Sequence, residues 1–378
     1  MAGPLAGLKI IEMAGLGPCP LAGQLMADLG AEVVLIERAA GPDRPLDINN
    51  RNKASIALNL KAPEAVDIVL DLVERADVLI EGFRPGVMER LGLGPEVALG
   101  RNPALIYGRM TGWGQSGPLS NLAGHDLNYL AMTGALLMTG YADRPPSPPL
   151  NLVADYGGGT MFLIFGVLSA LFERARSGRG QVIDAAMVDG VGALTGVFRA
   201  LAAMGQWTAA RESNLVDGGA PYFKVYETKD GKYVSVAAIE PQFFAELVEK
   251  AGIDPDIAAR RDDRATWPEQ REHYARVFAG RTRAEWEAVF DLSDACVAPV
   301  LSPGEVPGHP HSLARGTYAD IGGLLQPMPA PHFSRTPAEP PRPPVPAGSD
   351  TRAVLERMGL SAAVIERLEQ DGVVSVSR

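Results

Sequence analysis

Residues 8–37, LKIIEMAGLGPCPLAGQLMADLGAEVVLIE, decide the fold. Leu8-Lys9-Ile10-Ile11-Glu12-Met13 reads as a buried strand that runs into the turn Gly15-Leu16-Gly17. Residues 21–29 predict a helix, and Glu32-Val33-Val34-Leu35-Ile36-Glu37 a second buried strand. Strand, helix and strand in so short a span make a βαβ unit with parallel strands. The pattern repeats outward. Pro63 suits the first turn of a helix running to about residue 76, followed by the strand Val78-Leu79-Ile80. Ala104-Leu105-Ile106-Tyr107 reads as a fourth strand, and Gln181-Val182-Ile183-Asp184 as one more. Together these predict an α/β fold with a doubly wound, mostly parallel sheet.

Gly112, Gly114, Gly117, Pro118 and Gly124 mark a long loop after the fourth strand, with a helix starting near His125. Residues 158–176 are apolar on most faces and predict a buried core helix. The character changes after Gly205. Residues 222–228 and 232–238 flank Asp230-Gly231, a hairpin signal, and helical stretches follow at about 242–251, 267–279 and 283–290. Residues 327–346 hold nine prolines, suited to an extended connector, before two short helices at about 351–358 and 361–369. The expected division is a large α/β domain over 1–205, a linker over 206–221, a small α+β domain over 222–320 and a proline-rich linker over 321–346. Residues 347–378 are expected to dock back on the large domain.

A net charge of −10 argues against a polyanion-binding surface, so no nucleic-acid partner is expected. Cys19 and Cys296 have neither disulfide-framework nor metal-ligand arithmetic. The longest greasy stretch, residues 161–172, is well short of the roughly 20 residues of a membrane span. No basic-then-apolar leader precedes the first strand. These readings predict a soluble cytoplasmic protein with no membrane partner.

Gly15-Leu16-Gly17 after the first strand, with Glu37 ending the second, invites a dinucleotide reading. Pro20 occupies the third glycine's place and offers no N–H to a pyrophosphate, so a plain turn is preferred and no nicotinamide is expected. Arg38 and Arg84 follow strand ends, where open α/β sheets bind ligands, and Arg90 lies close behind. With Arg51, Lys53 and Lys61 they suggest a cationic rim for a phosphorylated ligand. His125, in Ala123-Gly124-His125-Asp126-Leu127-Asn128-Tyr129, sits where the helix dipole favours a neutral imidazole able to act as a base. Asp155 precedes Gly157-Gly158-Gly159. As a helix cap it is ordinary, but three glycines there suit the close approach of a ligand, with helix N–H groups available for an oxyanion. Glu240 before Pro241 reads alone as helix-start punctuation, and Asp217-Gly218-Gly219 as a turn. His273, His309, His311 and His332 read as surface residues.

The chain as a whole resembles the α-methylacyl-CoA racemases, within the family III CoA transferases. The resemblance runs from Leu25-Met26-Ala27-Asp28-Leu29-Gly30 and Glu37-Arg38 through Arg84-Pro85-Gly86-Val87 and Met110-Thr111-Gly112-Trp113-Gly114. It continues through Gly180-Gln181-Val182-Ile183-Asp184 to Asp294-Ala295-Cys296-Val297. The Ala123-Gly124-His125-Asp126 segment, with Asn151-Leu152 and Asp155, is the racemase pattern; the transferases keep the aspartate without this histidine segment. Cys19 departs from the small residue that relatives often carry.

The resemblance implies His125 and Asp155 as acid and base on opposite faces of a thioester α-carbon, His125 serving the S substrate and Asp155 the R. It implies that Glu240 orients His125. It also implies CoA contacts from Arg38, Leu58, Asn59, Leu60, Lys61, Arg84 and Arg90, and substrate contacts from Gly124, Asp126 and Asn128. An interlocked homodimer acting on an acyl-CoA substrate, with no cofactor, is expected. The alternatives are CoA transfer with Asp155 as nucleophile, or a CoA-thioester-binding protein without turnover. The oxyanion donors are expected at the start of the helix at Gly158. Twelve methionines, Met161 and Met187 among them, fit a loose acyl surface or ordinary core packing equally well.

Overall fold

The structure, a computed structural model, describes residues 3–38 and 46–376. The chain opens with β1 (Lys9–Met13), α1 (Pro18–Asp28), β2 (Glu32–Glu37), β3 (Ala54–Leu58), α2 (Pro63–Val73) and β4 (Val78–Glu81). Next come α3 (Val87–Arg90), α4 (Pro95–Arg101), β5 (Ile106–Thr111) and α5 (Asp126–Thr133). A π-helical stretch, Leu152–Thr160, runs directly into α6 (Met161–Ser177), and β6 (Gln181–Ala186) and α7 (Met187–Leu194) follow. Later elements are α8 (Gly196–Ala203), β7 (Phe223–Glu227), β8 (Tyr233–Ala237), α9 (Pro241–Ala251), α10 (Pro255–Ala258), α11 (Trp267–Phe278), α12 (Arg283–Val289) and β9 (Val297–Pro299). The chain closes with α13 (Pro310–Arg315), β10 (Tyr318–Ile321), β11 (Leu324–Pro327), α14 (Thr351–Met358), α15 (Ala362–Gln370) and β12 (Val374–Ser375).

Seven strands form one sheet in the order β12-β3-β2-β1-β4-β5-β6. Every neighbouring pair is parallel except β12, which runs antiparallel to β3. The chain winds outward from β1 to β3, then crosses back to β4 on the other side of β1. The gap between the carboxyl ends of β1 and β4 is therefore the topological switch point, where such sheets hold ligands. Ile10, Ile11, Leu79, Ile80 and Tyr107 are almost wholly buried, because central parallel strands are covered on both faces.

Compactness divides the chain into two units. One takes Met1–Thr133, Leu150–Leu194 and Leu313–Arg378; the other takes Gly134–Pro149 and Thr195–Ser312. These bounds differ from those that composition suggested. The segment 134–149 and helix α8 fall in the second unit, and the hairpin of β10 and β11 falls in the first. The first unit also holds the tail: Ala57 N donates to Thr351 Oγ1 at 3.0 Å, and Asn59 N to Val373 O at 2.9 Å. In the second unit Tyr226 of β7 shares one core with Tyr274, Phe278, Trp286 and Phe290, beside the sheet β7-β8-β9. Its hairpin has a five-residue loop at Asp230-Gly231, since Glu227 pairs with Tyr233.

Two further differences from expectation have clear causes. Strand β3 was not anticipated, because Ala54-Ser55-Ile56-Ala57-Leu58 is poor in β-branched and aromatic residues. The helix expected over 158–176 begins instead at Leu152 and runs 26 residues to Ser177, long and apolar enough by composition to cross a membrane. Leu163, Val167 and Ala170 face the core, and Arg174 pairs with Asp77 at 2.8 Å.

Candidate active site

The site is built on the loops that leave the carboxyl ends of β1, β4 and β5. Residues 112–125 fold tightly around Tyr129 of α5. A Cβ on Gly112 would lie 2.0 Å from the Tyr129 ring, and one on Gly124 2.8 Å from it, so neither position tolerates a side chain. The Tyr129 hydroxyl donates to Gly124 O, and Trp113 meets the Tyr129 ring edge-on at 4.8 Å between centroids. This packing delivers His125 to the residue just before α5. Its N–H donates to Asn128 Oδ1 at 3.0 Å, and its carbonyl accepts from Asn128 N at 2.8 Å. The His125 side chain is exposed.

Asp126, the first residue of α5, turns inward and is buried. Its Oδ2 accepts from Ala154 N at 2.9 Å and Asp155 N at 2.8 Å. The histidine turn and the aspartate turn are thereby tied together. Asp155 is half-buried, and Asn151 Nδ2 reaches its Oδ2 at 3.5 Å. Burial, followed by the Asp126 carboxylate, holds the Asp155 carboxyl above the usual aspartate range, against the pull of Asn151 and His125. A Cβ on Gly17 would come within 3.6 Å of Asp155 Oδ2, so the first loop also borders this carboxylate.

Asp155 is not a helix cap: it lies inside the π-helical stretch, and the N–H groups of Ala154 and Asp155 are already taken by Asp126. Nor do the three glycines admit a ligand. A Cβ on Gly158 would lie 2.9 Å from Met187 O and Val191 N, and one on Gly159 3.2 Å from Pro18 Cβ. They let α7 and the start of α1 approach the helix, and Gly190 backs onto Gly158 for the same reason. The oxyanion donors expected near Gly158 are therefore not free. The N–H groups of Asp126 and Leu127, at the first two positions of α5, have no acceptor in their own helix and stand beside His125.

Arg38, Arg84 and Arg90 are exposed and follow the carboxyl ends of β2 and β4. Asn59, Leu60 and Lys61 follow β3, and Asn59 and Lys61 are exposed. Leu58 lies in the main hydrophobic core, so its side chain is not part of a binding surface. Asp126 points inward, and Asn128 spends its side-chain oxygen on the His125 turn; neither presents that group to a ligand. Arg51 and Lys53 do not join a cationic rim. Arg51 pairs with Asp28 at 2.6 Å and Lys53 with Glu12 at 2.7 Å, all four being almost fully buried. Buried charges must be paired in this way to be tolerated.

In the second unit Glu240 is the residue before α9, where Pro241 occupies the first helical position. Burial, followed by the Glu240 charge, pushes the thiol of the exposed Cys296 above its ordinary range. Among the described residues no group of three His, Cys, Asp or Glu side chains could hold a metal ion.

Sequence reading missed Gly17, Tyr129 and Arg109, whose guanidinium bonds Glu81 at 2.9 Å and Glu89 at 2.7 Å on either side of Arg84. Gly17 carried a signal, a glycine between a central strand and a proline-led helix. Arg109 did too, as a charge in the apolar strand Ile106-Tyr107-Gly108-Arg109-Met110.

Residues 5–351 match the family model described as CoA-transferase family III. The α-methylacyl-CoA racemase of Mus musculus is 45% identical over 98% of this chain and 97% of its own length. That of Homo sapiens is 41% identical over 99% of this chain and 98% of its own. A solved CAIB/BAIF family protein from Brucella suis superposes with a TM-score of 0.80 at 26% identity, covering 95% of this chain and all of the other. With a matched model across most of its length and relatives aligned end to end, the chain belongs to CoA-transferase family III.

Proposed function

We propose that the chain is an α-methylacyl-CoA racemase, interconverting (R)- and (S)-2-methylacyl-CoA through an enolate. The observation that carries this reading is the tie between two turns, one bearing His125 and the other Asp155, through the single carboxylate of Asp126. In the S-to-R direction the His125 imidazole takes the α-proton and the thioester carbonyl becomes an enolate oxygen. Protonated Asp155 then returns a proton to the opposite face; the reverse reaction exchanges the roles. A carboxyl held above the usual aspartate range is suited to donate a proton. The N–H groups of Asp126 and Leu127, which α5 itself leaves without acceptors, are the donors for the enolate oxygen, each worth roughly 3–4 kcal/mol in such a site. Glu240 is carried over from the resemblance as the carboxylate that orients the imidazole. Arg38, Arg84, Arg90 and Lys61 would hold the CoA phosphates.

Proton NMR of enantiopure 2-methylacyl-CoA in deuterium oxide tests the reading. The wild-type chain is expected to wash out the α-proton of both enantiomers. His125→Ala should slow exchange from the S enantiomer by roughly 10²–10⁴-fold. Unchanged exchange from both enantiomers would remove His125 from the mechanism. A hydroxylamine-trapped acyl group on Asp155 would point to CoA transfer instead.

A further inference from the structure

Among the described residues the Asp126 carboxylate makes two bonds to the backbone of the π-helical stretch and none to a side chain. Its Oδ2 accepts from Ala154 N at 2.9 Å and Asp155 N at 2.8 Å. Its Oδ1 is buried and has no partner among the described residues. A buried carboxylate oxygen without a donor is costly, so the arrangement is not simply the most stable way to join two helices. The residue before Asp126 is His125, and the second amide that it binds is that of Asp155. We propose that Asp126 is a positioning residue for α-proton transfer, fixing the backbone of Asp155 against the turn that carries His125. This inference rests on the racemase reading.

Geometry gives the carboxylate one role and its charge gives it a second. The titratable groups whose fields reach Asp155 are Asp126 and His125, and Tyr129 of α5 in turn feels Asp155. Helix α7, packed on the same stretch, carries Asp189. Helix α1 presents Gly17, its one acidic residue being Asp28 at the far end, paired with Arg51; the charges of α6 lie in its last turns. Asp126 is thus the like charge whose field reaches Asp155, it is bonded to the Asp155 backbone, and its field favours the protonated form of Asp155.

Asp126→Asn separates the two roles. The amide oxygen can accept the same two N–H groups, and the NH₂ group replaces the oxygen that has no partner, so the fold is kept while the charge is lost. Exchange of each enantiomer would be followed across pH 5–9, with KM measured alongside. Removing the negative charge should lower the proton affinity of Asp155. The limb of the pH profile that reports Asp155 then moves to lower pH, with KM held within about twofold and kcat lowered roughly tenfold. Asp126→Ala, which also removes both bonds, should lower kcat further at similar KM. If Asp126→Ala fails to fold, the Asn variant alone decides. A wild-type profile and kcat in Asp126→Asn would overturn the proposal, and so would a raised KM with kcat and profile unmoved, which would mark a substrate contact. Absence of exchange in the wild-type chain would sink the racemase reading itself, and this proposal with it.

Discussion

Glu12 and Lys53 meet beneath the first loop, where Lys53 Nζ lies 2.7 Å from Glu12 Oε2 and also donates to Pro20 O at 2.9 Å. Gly23 makes room for the pair, since a Cβ there would lie 1.7 Å from Glu12 Oε2. The pair therefore anchors the first turn of α1, and with it Gly17 at the Asp155 carboxylate. Burial pushes the Glu12 carboxyl up to about 7, against the opposing pull of Lys53. A carboxyl raised in this way contributes stability that is full below its unfolded value and lost as pH climbs through about 7. Lys53→Met leaves Glu12 buried and alone. At pH 8 it should cost about 3–5 kcal/mol, the usual penalty for breaking a buried pair. At pH 5 the lone carboxyl is readily protonated and the loss should be clearly smaller. Urea unfolding at the two pH values measures both, and equal losses would show that the cation does not act through Glu12. This pair was not legible in the sequence. Lys53 and Arg51 read there as part of a cationic rim for a phosphorylated ligand, and only the sheet reveals that their positions lie under α1.

The loop from β4 to α3 depends on a second charged group, Arg109 of β5. Its Nε donates to Glu81 Oε1 at 2.9 Å and its two Nη atoms clasp Glu89 at 2.7 and 3.2 Å. Glu81 Oε2 in turn accepts from Phe83 N at 2.7 Å. Both ends of the segment that carries Arg84 and Arg90 are thereby held by one guanidinium. Arg109→Lys keeps the charge but loses the bidentate fork. It should raise KM for acyl-CoA about tenfold, the equivalent of roughly 1.4 kcal/mol, with kcat little changed. An unchanged KM in Arg109→Lys, with a raised KM in Arg90→Ala, would separate the loop's anchor from its function. Elements of this kind were half legible. The strand runs at 32–37 and 78–80 and the Pro63 helix start speak for themselves, because burial on both faces leaves continuous apolar runs. The π-helical start at Leu152 did not, since Asp155 reads locally as a helix cap and glycines are poor helix formers, whereas α7 and the start of α1 pack closely on this stretch.

At the scale of the whole molecule, the doubly wound order follows from the alternation of apolar runs, and the switch point between β1 and β4 is where the loops carrying Gly17 and Arg84 leave the sheet. The outward face of the helix Leu152–Ser177 does not follow from that order. It leaves Phe165 and Phe172 each 70% exposed, with Met161 at 53%. A row of large apolar side chains on one helix is more than a soluble chain leaves uncovered without a partner. The resemblance implies an interlocked homodimer, and we propose that a second copy of the chain covers this face. Sedimentation equilibrium should then give twice the chain mass at micromolar concentration. The double substitution Phe165→Asp and Phe172→Asp should shift the species towards monomer, because burying a carboxylate without a partner costs several kcal/mol. A wild-type monomer that binds anionic or neutral lipid vesicles would assign the same face to a membrane surface. A wild-type monomer that binds neither type would leave those phenylalanines facing water and end the dimer proposal.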